Sequence, residues 1–278
     1  KGAYRDLFYN ETPLTQEVIL AVCANEKSGI FGEQNWWFNA RSYGLCWSLV
    51  RSFVHTYLKL DGTPFTDAAD YAVKSFTEEM EGRDLRLEQT VRGRNFLWDG
   101  KTAVADIKNL SLTGYQVIKY TLDESKYDGG AKNINSIPLI RYAEVLLNYA
   151  EAVFERDGQI SDEDLAISLN LTRKRINPEM PDLTNDFVTA NNLDMRTEIR
   201  RERTIEFFDE NFRIDDLKRW KTAEDEMPMN LTGVKWKGTD FENRWPDASF
   251  KEKDGEGCII HEKGRNWHEK HYLLPLPT

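Results

Sequence analysis

The sequence is poor in the residues that build disulfide frameworks and metal sites, with three cysteines and four histidines among 278 residues. Cys23, Cys46 and Cys258 are too few and too widely spaced for a disulfide framework or a paired CxxC metal site. We expect free, buried thiols, although one bridge between two of them stays open. HEKH at 268–271 is one residue short of the HExxH zinc motif, so no metal ligand is assigned.

Other absences narrow the functional class. No run of 18 apolar residues occurs, so we expect no membrane-spanning helix. The sequence also lacks GxSxG, a P-loop and GxGxxG, and none of its 47 acidic residues lies in a hydrolase motif. We therefore assign no catalytic residue and no cofactor.

Charge and aromatic content indicate which kinds of partner the protein binds. The formal net charge of −10 argues against nucleic acid or an anionic membrane surface as the main partner. Aromatic residues make up 12% of the chain, with eight tryptophans, while the mean hydropathy is −0.63. Such a polar chain with so many rings suggests that some aromatic surface serves binding rather than the core.

The start of the chain does not indicate a cellular localisation. It opens abruptly at KGAYRDLFY, without a signal peptide. We expect it to be a fragment or a processed form of a longer protein.

The first half of the chain predicts little regular structure. Residues 1–60 are rich in aromatics, and residues 61–135 carry repeated Gly and Asp turn signals such as DGTP at 61–64. We expect irregular structure there, with one helix near 67–80 and a strand at 117–122.

The second half predicts helices. Pro138 suits a first helical turn, and an apolar stripe then continues through IPLIRYAEVLLNYAEAVFE at 137–155. The apolar stripe consists of Leu139, Ala143, Leu146, Ala150 and Val153. The opposite stripe consists of Arg141, Glu144, Asn148, Glu151 and Glu155. Gly158 should end this helix.

A second helix should form a hairpin with the first. Ser161 with Asp164 resembles a capping box, and the helix LAISLNLTRKRIN at 165–177 should stop at Pro178. Helical hairpins are the unit of tetratricopeptide-like arrays, although no clean 34-residue repeat occurs. The fold class predicted is mainly α, with such hairpins, a loop-rich region and few short strands.

The remaining segments alternate between loop and helix. Residues 181–195 read as a loop, 196–220 as one mixed-charge helix, and 221–266 as loop-rich. Charged residues of that helix should form structural ion pairs and caps rather than a site; they are Arg200, Arg203, Glu206, Asp216 and Arg219.

Three blocks occur in this order: RYAEVLLNYAEA at 141–152, LAISLNLTRKRIN at 165–177 and RRERTIEFFDENFRIDDLKRW at 200–220. Together they resemble the SusD/RagB family. RYAEVLLNYAEA at 141–152 matches RYAEVLLxYAEA, and 165–177 is similar to the family's ALxxLNxVRxRAG. RRERTIEFFDENFRIDDLKRW at 200–220 matches RRERxxELAFEGxRxxDLxRW. Shorter matches are DGTP at 61–64, RDLRL at 83–87 for RDPRL, and YLLPLP at 272–277 for YLLPIP. The chain departs from these patterns at Asn211, where the family has glycine, and at Leu85, where it has proline.

The resemblance implies a role in nutrient capture. Residues 1–136 would be a loop-rich ligand-binding region and 137–278 a helical region of one continuous fold, without the family's N-terminal half. The protein would bind oligo- or polysaccharide at the extracellular face of the bacterial outer membrane, lipid-anchored through an absent N-terminus. It would deliver the glycan to a SusC-like TonB-dependent transporter, without catalysis. The missing half could be a separate chain.

The best candidate for the ligand site is the aromatic and polar stretch FGEQNWWFNARSYGLCW at 31–47. A pyranose ring offers an apolar face for an aromatic ring and hydroxyls for polar groups. Carbohydrate-binding candidates are Trp36, Trp37, Asn39, Arg41, Tyr43 and Trp47. Since Trp36 and Trp37 are adjacent, we expect them to point in different directions. A loop with Trp236, Phe241 and Trp245 is a second candidate, although packing onto the helices is favoured there.

Two alternatives remain open at this point. One is a RagB-type protein that captures peptides, and the other is a helical-repeat scaffold whose partner is a protein. A hydrolase is the least favoured class. In all cases, helices without their packing partners should expose an apolar patch, so we expect association or a second chain bound.

Overall fold

The structure is a computed structural model, and it describes residues 3–39, 46–103, 105–106, 110–227, 230–247 and 251–273. The predicted fold class is confirmed: helices dominate, and the strands are short and form two-stranded sheets. The α-helices are α1 Asp6–Tyr9, α2 Gln34–Asn39, α3 Arg51–Thr56, α4 Phe76–Met80, α5 Arg86–Thr90, α6 Tyr142–Asp157, α7 Asp162–Ala166, α8 Leu169–Lys174, α9 Asn185–Ala190, α10 Met195–Glu206, α11 Arg213–Trp220, α12 Ala223–Glu226 and α13 Asp240–Arg244.

The strands pair antiparallel and mostly join distant parts of the chain. They are β1 Val18–Val22, β2 Ser48–Leu49, β3 Leu97–Trp98, β4 Lys101–Thr102, β5 Tyr115–Gln116, β6 Ile137–Arg141, β7 Leu231–Lys235 and β8 Cys258–Glu262. The pairs are β1 with β6, β2 with β5, β3 with β4, and β7 with β8. Short 3₁₀ turns lie at Glu26–Ser28, Phe65–Asp67, Tyr71–Val73, Ser125–Tyr127 and Glu269–Tyr272.

The segment predicted as one helix at 137–155 begins instead as strand β6. Pro138 lies in this strand, opposite Ala21 of β1, so its placement in a helical turn was wrong. A two-stranded sheet leaves each strand one free edge, where a residue without N–H is tolerated. Helix α6 follows, and Gly158 ends it in the left-handed conformation with φ of 69°, as predicted.

The two stripes of that segment are not simply a buried and a solvated face. Leu139 is exposed on the strand, whereas Arg141 and Glu151 are buried. Their burial follows from ion pairing: Arg141 contacts Glu206 at 2.9 Å, and Glu151 contacts Arg219. The periodicity gave the helix but could not reveal these partners, which lie far along the chain.

The helical hairpin is present, with a broken second arm. The Ser161 hydroxyl caps α7 by accepting from the Asp164 N–H at 3.0 Å. The expected continuous helix at 165–177 is interrupted at Ser168, which has non-helical backbone angles, and α8 ends at Lys174. Helix α8 packs against α6 and α10, and the three share an apolar core.

Two later predictions need correction. Helix α9 lies within 181–195, which we expected to be a loop; the Thr184 hydroxyl caps it by accepting from the Phe187 N–H at 3.0 Å. The segment 196–220 is two helices, α10 and α11, because Asp209 and Asn211 adopt left-handed backbone angles with φ of 60° and 67°. The helical periodicity of the sequence therefore continues across a turn.

The first half is irregular, as expected, but its elements differ in detail. The helix near 67–80 is only α4, and the strand expected at 117–122 is instead β5, just before it. The DGTP turn is confirmed: Asp61 accepts hydrogen bonds from the Thr63 N–H and hydroxyl, at 2.9 and 2.6 Å. Residues 221–266 contain the β7–β8 hairpin in addition to loops.

The predicted structural role of the helix charges is confirmed. Arg203 donates to Asp216 at 2.8 Å, and Arg200 contacts the partly exposed Glu155 at 3.3 Å. Glu206 is completely buried and accepts from three arginines of separate segments, Arg86, Arg141 and Arg175. We name these four residues the Glu206 cluster.

Helix α10 joins the two main apolar cores. Its first turns contribute Met195 and Ile199 to the helical core, and Ile205 near its end lies in a second core with Leu49, Tyr115 and other residues of the first half. Both parts of the chain are thus held by one helix. Among the described helices, none is long and apolar enough to cross a membrane.

None of the three cysteines is in a disulfide, and they differ in burial. Cys258 is buried and Cys46 is partly buried, whereas Cys23 is exposed. The expectation of buried thiols was therefore wrong for Cys23.

Candidate functional site

Helix α2 carries three of the six predicted site residues, and it directs its amides into the protein. Asn35 is fully buried; its side chain accepts from the Leu122 N–H at 2.7 Å and donates to the Leu122 carbonyl at 2.8 Å. Asn39 is also buried, accepts from the Gln116 amide at 3.1 Å and donates to Asp128 at 3.5 Å. Buried amides require such partners, so these bonds fix how the helix is rotated.

The Asp128 carboxyl lies in the same hydrogen-bonded group. Burial raises its pKa above the usual range, partly offset by the hydrogen bonds that it accepts from Asn35 and Asn39. The α2 amides are therefore engaged with protein groups.

The rotation of α2 places tryptophan rings on the outside. Trp37 is 41% exposed and Trp36 is partly buried. Their ring centroids lie 5.0 Å apart, so the two rings pack on each other. The expectation that adjacent tryptophans point in different directions was wrong.

Trp47 extends this aromatic surface. It is 42% exposed, and its ring lies 5.7 Å from that of Phe38, the next residue of α2 after Trp37. Phe38 in turn lies 6.2 Å from Tyr120 and packs against the core. We call Trp36, Trp37, Phe38 and Trp47 the aromatic patch.

Trp47 is also in contact with a carboxylate from another part of the chain. The Trp47 side chain is hydrogen-bonded to Asp209, which lies in the turn between α10 and α11. Burial raises the pKa of Asp209 to about 6, against the opposing effects of Lys119 and the Trp47 hydrogen bond. The turn that interrupts the predicted 196–220 helix thus supports the patch.

The other two predicted residues, Arg41 and Tyr43, lie outside the described residues. The structure pairs Trp36 with Trp37, places Trp47 against Phe38 of the same helix, and buries Asn39 on that helix. Exposed indole rings held by a rigid helix can stack on an apolar ligand face while their edges meet water. The arrangement suits a flat ligand with polar rims.

The second candidate loop is mostly packed, as favoured from the sequence. Trp236 and Phe241 are buried in the core shared with Tyr115. Trp245 is only partly buried and lines a cavity of about 320 Å³. The cavity also involves Thr77 and Arg94, which no sequence pattern had connected with this loop.

No group of three histidine, cysteine or carboxylate side chains in the described ranges is arranged to hold a metal ion. The predicted site is therefore built from aromatic rings and amides.

Comparison with known proteins agrees with the block pattern. The profile of the SusD family matches residues 16–278. A SusD-like carbohydrate-binding protein of Bacteroides fragilis has a similar solved structure, with 24% identity and a TM-score of 0.77 over 99% of this chain and 55% of that one. A SusD-like protein of the same organism gives 22% identity and a TM-score of 0.66 over 98% and 53%.

At such identities the similarity shows the fold alone. The chain spans about half the length of each of these structures, and in both the matched part belongs to one longer chain, which lends no support to a separate N-terminal chain. No curated protein matches the sequence. Since the family profile covers nearly all of it, the chain belongs to the SusD family.

Proposed function

We propose that the protein captures glycans through the aromatic patch. The observation that carries this proposal is the orientation of α2, whose amides are buried while Trp37 is exposed. A helix that served only packing would do the reverse, since exposing rings and burying amides costs free energy unless partners compensate. Membership in the SusD family supports the same conclusion.

The binding mode follows from the chemistry of the rings. Pyranose faces would stack on Trp37 and Trp47, with Trp36 supporting Trp37 from the side. Arg41 and Tyr43 remain proposed ligand contacts, while Asn39 is proposed to position α2, because its amide is engaged with Gln116 and Asp128. Residues 1–136 would supply the binding region and 137–278 its helical support.

Family membership also supports a place in uptake. We propose that the protein acts at the extracellular face of the outer membrane, lipid-anchored through its parent chain, and passes the glycan to a SusC-like TonB-dependent transporter. Such capture needs moderate affinity, because release must follow. No catalysis is proposed.

The test is a tryptophan-fluorescence titration of the full-length protein against soluble polysaccharides, peptides and the partner transporter. We expect a saturable change with one glycan class, weakened in Trp37→Ala and Trp47→Ala. Trp267→Ala is the matched control, since this partly buried ring packs on Tyr272 instead. A response to peptides alone would replace glycan capture by peptide capture, and a response to the transporter alone would indicate a scaffold.

A further inference from the structure

A cavity lies beside α13, and none of the aromatic-patch residues lines it. Its volume of about 320 Å³ is within the range of small-ligand sites. Residues of three distant segments line it, among them Phe76 of α4, Arg94, and Phe241, Arg244 and Trp245 at α13. We call it the α13 cavity.

The aromatic wall of the α13 cavity is rigid. The Phe76 and Phe241 rings meet edge to face at 5.4 Å, and both are buried in the core. Trp245 stacks on Phe241 at 5.7 Å with an interplanar angle of 25°. The core therefore holds the indole of Trp245 in place where it lines the cavity, which lowers the entropy lost when a ligand stacks on it.

The polar wall offers groups without protein partners. Within the described residues, the side chains of Arg94 and Arg244 form no hydrogen bond and no ion pair, and both are exposed. Asp240 and Asn243 also line the cavity and are exposed. Two guanidinium groups and one carboxylate give a positive balance, in a chain whose formal net charge is −10.

This combination identifies a ligand class. Guanidinium groups bind carboxylate and sulfate oxygens with paired, charge-assisted hydrogen bonds. A ring stacked on Trp245 would keep its hydroxyls near Asp240 and Asn243, which can accept and donate hydrogen bonds. Neutral sugars would offer the two guanidinium groups no charge-assisted hydrogen bond.

We propose that the α13 cavity binds an anionic sugar unit, a pyranose with a carboxylate or a sulfate ester, as a subsite of the glycan that the protein captures. This inference rests on the proposed glycan function, and it narrows the ligand to acidic polysaccharides. The stacking partner is Trp245 and the anion-binding residues are Arg94 and Arg244.

The experiment compares matched ligands by isothermal titration calorimetry with the full-length protein. Short oligogalacturonate, its neutral methyl ester and a sulfated galactan oligosaccharide without carboxylates are titrated into the wild type, Arg94→Gln and Arg244→Gln. Lys237→Gln is the control, since this exposed residue near α13 loses the same charge without lining the cavity. Thermal melting checks that each variant folds.

We expect at least one acidic ligand to bind more tightly than the methyl ester, and each arginine variant to lose about tenfold or more of that affinity. The affinity should also fall as NaCl rises from about 0.05 M to about 0.5 M, because salt screens the charges. The tighter acidic ligand identifies the anion as carboxylate or sulfate.

Equal affinity for the acidic ligands and the methyl ester, or arginine variants that bind like Lys237→Gln, would overturn the inference. Titration of Trp37→Ala with the neutral methyl ester tests the proposed function separately. Failure of the inference and failure of the proposed function therefore give different results.

Discussion

Arg86 donates a hydrogen bond to Glu206 at 3.0 Å, and neither side chain has any solvent exposure. Arg86 comes from the RDLRL block and Glu206 from the RRER block, so the two most distinctive charged stretches of the sequence meet inside the protein. Arg141 and Arg175 complete the Glu206 cluster. Burial alone would raise the pKa of Glu206, but Arg175, Arg141 and Arg86 outweigh it and hold that pKa far below its usual range.

Removing the carboxylate should strongly destabilise the fold. Glu206→Ala removes a buried carboxylate that three arginines share, although each keeps another acidic partner. Breaking a buried ion pair costs about 3–5 kcal/mol. Urea unfolding followed by circular dichroism measures the loss. Glu155→Ala, at the exposed pair with Arg196, should change the stability by less than about 1 kcal/mol. Equal effects of the two variants would contradict a structural role for the cluster.

The Asp209 carboxyl should make stability depend on pH. Its pKa of about 6 in the folded state lies above the unfolded value of about 4, so between these values the folded state binds more protons. The free energy of unfolding therefore falls as pH rises through this window. Asp209→Asn keeps an acceptor for Trp47 and should be more stable than the wild type at pH 7, by on the order of 2 kcal/mol.

That advantage should disappear near pH 4, where the wild-type carboxyl is protonated in the folded state. Thermal melting at both pH values makes the comparison, with the exposed Asp215→Asn as control. If Asp209→Asn is more stable than the wild type by the same amount at pH 4 and pH 7, this account of Asp209 is contradicted.

The turn between α10 and α11 should favour glycine at Asn211. This residue has φ of 67° and an exposed side chain, so a substitution there acts mainly through the backbone. Asparagine tolerates this conformation better than most residues, and glycine has no steric penalty there. We expect Asn211→Gly to be neutral or slightly stabilising and Asn211→Val to cost about 1–2 kcal/mol. Denaturant midpoints decide the order, and a Val variant as stable as the Gly variant would refute it.

Apolar residues exposed along β1, β6 and α6 should make this 278-residue chain associate. They include Ile19, Leu20, Val22, Leu139, Ile140, Tyr142, Val145 and Tyr149. Leu139→Lys should lower the sedimentation coefficient and the binding of an apolar dye. Leu97→Lys is a fitting control, because Leu97 is 50% exposed and Leu139 53%. A monodisperse wild-type monomer without dye binding would count against this expectation.

Local signals in the sequence were sufficient for only part of the helical half. Periodicity and the end signals at Ser161 and Gly158 placed α6 and α7, because the caps act within a few residues of their own helix. Strand β6 was missed because its partner is β1, and the turn at Asp209 was missed because helical periodicity continues across it. The pairing of β6 depends on a strand far away in the sequence, and the turn depends on backbone angles that helical periodicity does not report.

The site was predictable in its residue types but not in its orientation. The sequence drew attention to Trp36, Trp37 and Trp47, yet which rings face solvent is decided by Asn35 and Asn39, whose partners lie in other segments. The sequence drew attention to Phe241 and Trp245 of the α13 cavity but not to Arg94, which meets them only in the folded chain. Side chains that converge from distant segments have no characteristic spacing in the sequence.

The most direct measurement of the central claim is calorimetric titration of Trp37→Ala with the glycan that the wild type binds best. We predict a loss of affinity of about tenfold or more, since stacking a ring on an aromatic side chain contributes about 0.5–1.5 kcal/mol beyond the apolar area that it buries. Trp267→Ala should bind like the wild type. Unchanged affinity in Trp37→Ala and Trp47→Ala, with both variants folded, would contradict glycan capture by the aromatic patch.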